Sequence, residues 1–144
     1  MSVTFDFSGK NVVVVGGSRG IGKQVCLDFL DAGARVVCVS RTIKKFRHDR
    51  LSHLACDIRR TSQIEKAFSQ IDQIDILVNA AAINYCKPSG EIDSDEWDEV
   101  LEVNLRSYFL TSKLAIEKMM VSGGGKIVNI SSIAGRNKSI VSGV

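Results

Sequence analysis

Hydrophobic positions along the chain follow two alternating periods. Short runs rich in β-branched residues predict strands that are buried on both faces, as in a parallel sheet. Between them, apolar residues recur every three or four positions, which predicts amphipathic helices. The predicted strands are residues 10–16, 35–40, 53–56, 75–79 and 126–131. The predicted helices are residues 20–30, residues 61–71 and a long helix that begins at Asp93 or Ser94 and ends near Met120.

The order of these elements predicts the fold class. Strands and helices alternate, which is typical of α/β proteins with helices on both faces of a parallel sheet. Right-handed crossovers then give a Rossmann-like, doubly wound sheet of five strands in the order 3-2-1-4-5. Residues 1–144 contain no internal repeat, low-complexity tract or Pro/Gly-rich linker, so we expect a single domain.

The long helix carries two further expectations. Asp93 and Glu96 have the spacing of a capping box at its N-terminus. Large apolar side chains at helical spacing predict the face that packs on the sheet. This predicted buried face consists of Trp97, Leu101, Leu105, Tyr108 and Ile116.

Composition and charge exclude several classes of function. Hydrophobic residues make up 44% of the chain and charged residues 24%, which is ordinary for a globular domain. The 19 Lys and Arg against 16 Asp and Glu leave a net charge of +3, too small to predict nucleic-acid binding. Four cysteines without a C-x-x-C pair predict no metal site. With no apolar stretch near ~20 residues and no signal-peptide core, we expect a cytoplasmic protein that does not bind membranes.

A glycine-rich turn joins the first strand to the first helix. The segment reads Gly16-Gly17-Ser18-Arg19-Gly20-Ile21-Gly22. Glycines in the spacing G-x-x-x-G-x-G let the backbone approach a phosphate closely, and the next helix offers free N–H groups and a positive dipole end. This placement predicts a phosphate site for a dinucleotide, and a glycine turn without a ligand is the alternative.

The end of the second strand distinguishes the two nicotinamide dinucleotides. An NAD site usually places a carboxylate there for the ribose 2′-hydroxyl, whereas this chain has Ser40 and Arg41. Arginine attracts a 2′-phosphate and can bind it through two hydrogen bonds. Arg19 can approach from the glycine turn. We therefore expect NADP(H) in preference to NAD(H), and an ordinary solvated loop for the basic residues within 44–47.

Four further motifs follow the glycine turn in order. They are Cys56-Asp57-Ile58, Asn79-Ala80-Ala81-Ala82, Val103-Asn104-Leu105 and Ile130-Ser131-Ser132-Ile133-Ala134-Gly135. Together with residues 15–22, VGGSRGIG, they resemble the short-chain dehydrogenase/reductase family over nearly the whole chain. The resemblance implies an oxidoreductase that transfers hydride between NADP(H) and a carbonyl compound or secondary alcohol. A 3-oxoacyl thioester is the first substrate to consider, and a steroid, a sugar and a small polyol stay open as alternatives.

The resemblance also implies roles for individual residues. Asp57 and Ile58 would contact adenine, and residues 79–81 would line the ribose side and stabilise the central strand. Ser132 would hydrogen-bond the substrate oxygen, and Asn104 would hold a water that links the catalytic lysine to solvent. The full predicted cofactor-binding set is Gly16, Ser18, Arg19, Gly20, Ile21, Gly22, Ser40, Arg41, Asp57, Ile58, Asn79, Ala80 and Ala81.

The chain departs from the family pattern at three places. Val15 stands where the family often has threonine, and Ala82 stands where it often has glycine. The motif Tyr-x-x-x-Lys, whose tyrosine is the general acid/base, does not occur. Counting from Ser132, the tyrosine would fall one or two residues beyond Val144. We expect a truncated catalytic domain, with five of the family's seven strands, that is inactive alone.

Two classes of function therefore stay open. The first is part of a short-chain dehydrogenase/reductase whose full-length form is a homodimer or homotetramer. The second is a non-catalytic dinucleotide-binding module or a decayed gene product. Without the family's remaining strands and helices, the fifth strand and the long helix would be uncovered, and we expect the isolated chain to be poorly soluble.

Overall fold

Five parallel strands form one sheet in the computed structural model, which describes residues 4–42 and 46–133. The strands are β1 (Asn11–Val15), β2 (Arg35–Ser40), β3 (Leu51–Ala55), β4 (Ile76–Asn79) and β5 (Lys126–Asn129). Their order is β3-β2-β1-β4-β5, which confirms the order predicted from the crossovers. The predicted strand ends lie within one or two residues of these bounds.

Helices cover both faces of the sheet. They are α1 (Gly20–Asp31), α2 (Thr61–Ser69), α3 (Ser94–Leu101) and α4 (Ser107–Val121), with a short 3₁₀ turn at Ser89–Glu91. The long helix expected from the sequence is interrupted, because a π-turn at Glu102–Arg106 separates α3 from α4. Among the described residues, no helix has both the length and the apolar character needed to cross a membrane.

The central strand β1 has a hydrophobic core on each face, since side chains alternate along a strand. Val13 and Val15 join a cluster with residues of α2 and α4. Val12 and Val14 join a second cluster with residues of α1. All four valines are 0% exposed. Four consecutive apolar positions have to be enclosed on both faces of the sheet, and the structure confirms the doubly wound architecture.

Asp93 caps α3 as the sequence predicts. Its Oδ1 accepts a hydrogen bond from Glu96 N at 2.9 Å, and Asp93 N donates to Glu96 Oε2 at 3.1 Å. This reciprocal pair satisfies two backbone N–H groups at the helix start, as in a capping box. The start of α3 is therefore fixed, which holds the carboxylates along this helix in defined positions.

The predicted buried face of the long helix is wrong. Trp97, Leu101, Leu105 and Ile116 are 48%, 39%, 65% and 46% exposed, and Tyr108 is half-buried. The face turned toward the core carries mostly smaller side chains. These residues are Val100, Val103, Ser107, Thr111, Ala115 and Met119.

Hydroxyl residues can occupy this inner face because the helix itself satisfies their polar atoms. Ser107 Oγ donates to Val103 O at 2.6 Å. Thr111 Oγ1 lies 2.8 Å from Ser107 O and 2.8 Å from Asn79 Oδ1, and it shares its hydrogen between them. Short side chains let α4 lie close to the sheet, whereas Phe109, Ile116 and Met120 remain on the outer face.

Candidate functional site

The glycine-rich turn lies at the carboxyl end of β1, where neighbouring backbone packs closely against it. Gly16 has a φ of +88°, and a Cβ there would lie 2.6 Å from the N and Cα of Ala81. A Cβ at Gly22 would lie 2.4 Å from Gly16 O. Positions 16 and 22 therefore need glycine so that the turn can contact both α1 and the loop after β4.

At Gly20 the turn is open and suits an anion. Gly20 has a φ of +53°, and no atom lies within 4 Å of the position that its Cβ would take. No side chain caps the N-terminus of α1, and no acidic residue lies in its first turn. An uncapped helix N-terminus presents N–H groups and the positive end of the helix dipole to a ligand.

The turn lines a cavity of about 480 Å³. Eleven residues of the predicted cofactor-binding set line it: Gly16, Ser18, Arg19, Gly20, Ile21, Gly22, Ser40, Arg41, Ile58, Ala80 and Ala81. Seven others complete the lining: Val39, Thr42, Cys56, Ala82, Ile83, Glu99 and Val103. Four predicted site residues lie outside the lining: Asp57, Asn79, Asn104 and Ser132. A second cavity, of about 590 Å³ between α2 and α4, contains none of the predicted site residues.

Two exposed arginines belong to the cavity wall. Arg19 lies in the glycine turn, and Arg41 directly follows β2. Ser40, which is 7% exposed, donates from its Oγ to Thr42 O at 2.9 Å and so fixes the chain just after β2. This part of the wall therefore combines two cations with the positive end of α1.

Arg59 binds two carboxylates beside the cavity. Its Nε and Nη2 donate to Asp57 Oδ1 and Oδ2 at 2.9 and 2.6 Å, and its Nη1 donates to Glu99 Oε1 at 2.6 Å. The hydrogen bonds from Arg59 hold the pKa of Asp57 below its ordinary value of 3.8. The Tyr85 hydroxyl, and then Arg59, lower the pKa of Glu99 from its ordinary value of 4.5. Both carboxylates are therefore ionised at neutral pH.

Side chains also attach the loop after β4 to α3. The Tyr85 hydroxyl donates to Glu99 Oε2, and this hydrogen bond raises the pKa of Tyr85. Lys87 Nζ lies 2.5 Å from Glu96 Oε2 in a half-buried ion pair. The loop and the first two turns of α3 therefore form one connected wall next to the cavity.

Asn104, in the π-turn, holds the start of the same loop. Its Nδ2 donates to Ile83 O at 2.8 Å, and its Oδ1 accepts from Ile83 N at 3.0 Å. The side chain thus pairs with both backbone groups of one residue, as a neighbouring strand would. The water that the resemblance assigns to Asn104 stays a prediction.

Asn79 is 0% exposed at the end of β4 and connects three elements. Its Nδ2 donates to Asn129 Oδ1 at 2.9 Å and to Ser112 Oγ at 3.3 Å. Its Oδ1 accepts from Thr111 Oγ1 at 2.8 Å. These bonds join β4 to β5 and α4, whereas a contact of Asn79 with a ribose stays a prediction.

Ser132 lies at the carboxyl edge of the sheet, just after β5. It is exposed, and it is not part of the cavity lining. Its predicted contact with a substrate oxygen therefore stays a prediction. The last two residues of its motif, Ala134 and Gly135, lie outside the described residues.

The sequence did not identify Arg59, Glu99 or Tyr85 as members of the site. Arg59 and Glu99 are separated by 40 positions, and no local spacing relates them. The acidic residues of α3 are typical of a solvated helix start, so Glu99 alone carries no signal. One signal could have pointed to Arg59. It directly follows the motif Cys56-Asp57-Ile58, two residues after Asp57.

A parallel sheet whose first strand leads through a glycine turn into an uncapped helix, with cations after the second strand, defines the class of dinucleotide-binding α/β proteins. The family model for short chain dehydrogenase matches residues 10–144, and the chain belongs to this family. The cofactors of this family are nicotinamide dinucleotides, which agrees with the class that the fold defines.

Named relatives and solved structures are similar over most of this chain. The NAD-dependent glycerol dehydrogenase of Listeria innocua is 33% identical in an alignment of 140 positions, which covers 90% of this chain and 55% of the relative. A 3-oxoacyl-acyl-carrier-protein reductase of Rickettsia bellii is 29% identical, with 90% and 56% covered. A short chain dehydrogenase structure from Leptospira borgpetersenii with bound NAD+ has a TM-score of 0.87 and 30% identity, with 93% and 56% covered. The chain spans about half the length of the curated relatives it matches.

Proposed function

We propose that this chain is the cofactor-binding part of an oxidoreductase that transfers hydride between NADP(H) and a carbonyl compound or secondary alcohol. The observation that carries the proposal is the pair of exposed arginines, Arg19 and Arg41, on the cavity wall beside the uncapped N-terminus of α1. A phosphate monoester carries between about 1.5 and 2 negative charges at neutral pH, so this wall favours a ribose 2′-phosphate. The preference rests on this chain's own residues, since the Leptospira structure holds NAD+.

The described residues fit a dinucleotide. Backbone N–H groups of residues 16–22 and the N-terminus of α1 would hold the pyrophosphate, because the open side of the turn leaves space for it. Arg19 and Arg41 would bind the 2′-phosphate. Residues 57–58 would contact adenine, and residues 79–81 would lie on the ribose side.

The reaction would need two further groups besides the cofactor, whose nicotinamide supplies or accepts the hydride when bound. Ser132 would hydrogen-bond the substrate oxygen, and Asn104 would hold the water that leads to solvent. The tyrosine and lysine of Tyr-x-x-x-Lys do not occur in this sequence, so we propose that the chain does not turn over alone. A 3-oxoacyl thioester is the proposed substrate class, supported by the reductase relative, and the cytoplasm is the proposed location.

A non-catalytic dinucleotide-binding module is the second candidate, because the cavity lining contains residues for binding a nucleotide but does not contain Ser132. This candidate shares the site and the cofactor with the first but has no carbonyl-reducing activity in any form. Reading the coding DNA past codon 144 distinguishes the two. An in-frame Tyr-x-x-x-Lys would identify an enzyme, and a stop codon would favour the module.

Exposed apolar side chains on the outer face of α4 and the π-turn support self-association of the full-length protein. Leu105, Phe109 and Met120 are 65%, 65% and 76% exposed. Large exposed apolar patches typically mark interaction surfaces. We propose a homodimer or homotetramer for the full-length form, with this face as part of the interface.

Removing the charge of Arg41 tests the proposed cofactor. We expect Arg41→Gln to weaken NADPH binding by about tenfold or more, because it removes a charge-assisted hydrogen bond to the 2′-phosphate. NADH lacks that phosphate, so its affinity should change by less than about twofold. Fluorescence titration of both nucleotides measures the two dissociation constants.

Arg47→Gln is the matched control for this titration. It removes the same charge from an exposed residue that does not line the cavity. Equal losses of NADPH affinity in the two variants, or an equal loss of NADH affinity in Arg41→Gln, would contradict a direct contact between Arg41 and the 2′-phosphate.

A further inference from the structure

Arg59 stands between two carboxylates beside the proposed phosphate site, Asp57 and Glu99. It makes a two-pronged contact with Asp57 and a third hydrogen bond to Glu99, at 2.6 to 2.9 Å. The three side chains are 34%, 20% and 28% exposed. Solvent therefore screens these charges only in part, and each still acts on its neighbours.

Both carboxylates also act on Arg41. Arg41 and Glu99 line the same cavity, and Asp57 lies between two lining residues, Cys56 and Ile58. The charge of Arg41 contributes to lowering the pKa of both carboxyl groups, after the larger effects of Arg59 on Asp57 and of Tyr85 and then Arg59 on Glu99. The four side chains therefore form one electrostatic group of two cations and two anions.

We propose that Arg59 is a positioning residue that sets the preference for NADP(H) without contacting the 2′-phosphate. By binding Asp57 and Glu99, it prevents them from pairing with Arg41 and from repelling the phosphate. Arg41 is then available to the nucleotide. This inference rests on the proposed function, because it assigns a cause to the cofactor preference proposed above.

The charge arithmetic makes the effect selective for one cofactor. With Arg59 present, the group of Arg41, Arg59, Asp57 and Glu99 has no net charge, and a 2′-phosphate meets an arginine that forms no ion pair with a carboxylate among the described residues. Without Arg59, the remaining three carry a net charge of −1, and two carboxylates compete with the phosphate for one guanidinium. NADH has a neutral hydroxyl at this position, so it should be much less sensitive to the same change.

Titration of NADPH and NADH with Arg59→Gln tests the inference. We expect the ratio of NADPH affinity to NADH affinity to fall by about fivefold, the size expected for one uncompensated charge in partly screened surroundings. The fall should shrink at 0.5 M salt, because screening weakens the repulsion. NADH affinity should stay within about twofold of the wild type, which also shows that the variant is folded.

Three further variants separate this electrostatic role from a structural one. Arg60→Gln removes the same charge from an adjacent exposed residue outside the cavity lining, and it should leave the ratio unchanged. Arg59→Lys keeps the charge and should retain most of the ratio. The double variant Arg59→Gln with Glu99→Gln should recover at least half of the loss, because it removes one of the two uncompensated carboxylates.

Distinct outcomes overturn the inference and the proposed function. The inference alone is overturned if the wild type prefers NADPH and Arg59→Gln leaves the ratio of NADPH to NADH affinity unchanged. It is also overturned if the double variant recovers none of the loss. A wild type that prefers NADH, with a ratio that still falls in Arg59→Gln, overturns the proposed cofactor and supports the role of Arg59. A chain that binds neither nucleotide overturns both.

Discussion

Gly16 is required both for packing at the end of the sheet and for the shape of the proposed site. Its positive φ lets the chain turn after β1, and the absence of a side chain lets Ala81 approach to within contact distance. The turn is therefore fixed by the loop after β4 before any ligand binds. A preformed turn reduces the ordering cost of binding a phosphate.

A methyl group at position 16 should be costly for this reason. We expect Gly16→Ala to lower the free energy of unfolding by about 3 kcal/mol, through the φ of +88° and a Cβ only 2.6 Å from backbone atoms of Ala81. Gly90→Ala is the control, since its Cβ meets no atom within 4 Å, and we expect a change below about 0.5 kcal/mol. Urea unfolding measures the stability of both variants. Equal stabilities would contradict the close approach of Ala81 to position 16.

Residues of the site could be predicted from sequence where a local pattern marks them. Gly20 and Arg41 follow strands at fixed spacing, so the turn and the cation after β2 were predictable from position alone. The bond between Arg59 and Glu99 depends on the sheet bringing together two loops and a helix from distant parts of the chain. No pairwise spacing encodes that contact, and it became visible only in three dimensions.

At the scale of elements, strands were easier to predict than the orientation of the long helix. Positions 12–15 of β1 are all apolar and fully buried, so this strand has to be central. The helix pattern carries large apolar residues on one face and small ones on the other, and hydrophobicity alone favours burial of the large ones. The π-turn and the hydroxyl bonds within α4 permit the opposite orientation, with the small face inward.

Two adjacent residues of α4 test this orientation. Ala115 is 0% exposed and Ile116 is 46% exposed. We expect Ala115→Leu to destabilise the fold by about 2 kcal/mol because it overpacks the interface with the sheet. Ile116→Ala should cost less than about 1 kcal/mol, since half of that side chain is already in water. Thermal unfolding measures the loss of stability in both variants. A larger loss in Ile116→Ala than in Ala115→Leu would show that the predicted buried face was right.

At the scale of the whole molecule, the outer face of α4 is the surface that we propose for contacts between copies of the chain. The inward orientation of the small residues leaves Phe109 and Met120 at the surface. Folding of the described residues does not bury these side chains, so their burial requires a further surface, from another copy or from a longer form of the chain. This is the physical basis for the proposed homo-oligomer.

Sedimentation velocity tests this consequence with one substitution. We expect the wild-type chain to self-associate and Phe109→Gln to shift the distribution toward the monomer. Phe5→Gln is the control, because Phe5 is 69% exposed and lies outside α4. A wild-type chain that sediments as a single monomeric species, or equal shifts in both variants, would remove the support for an interface on this face.

The relative affinity of the wild-type chain for NADPH and NADH tests the central claim most directly. Both nucleotides should be titrated into the purified chain at the same pH and ionic strength. We predict that NADPH binds at least about tenfold more tightly, because Arg41 and Arg19 meet a 2′-phosphate that NADH lacks. Equal affinities, or tighter binding of NADH, would contradict it.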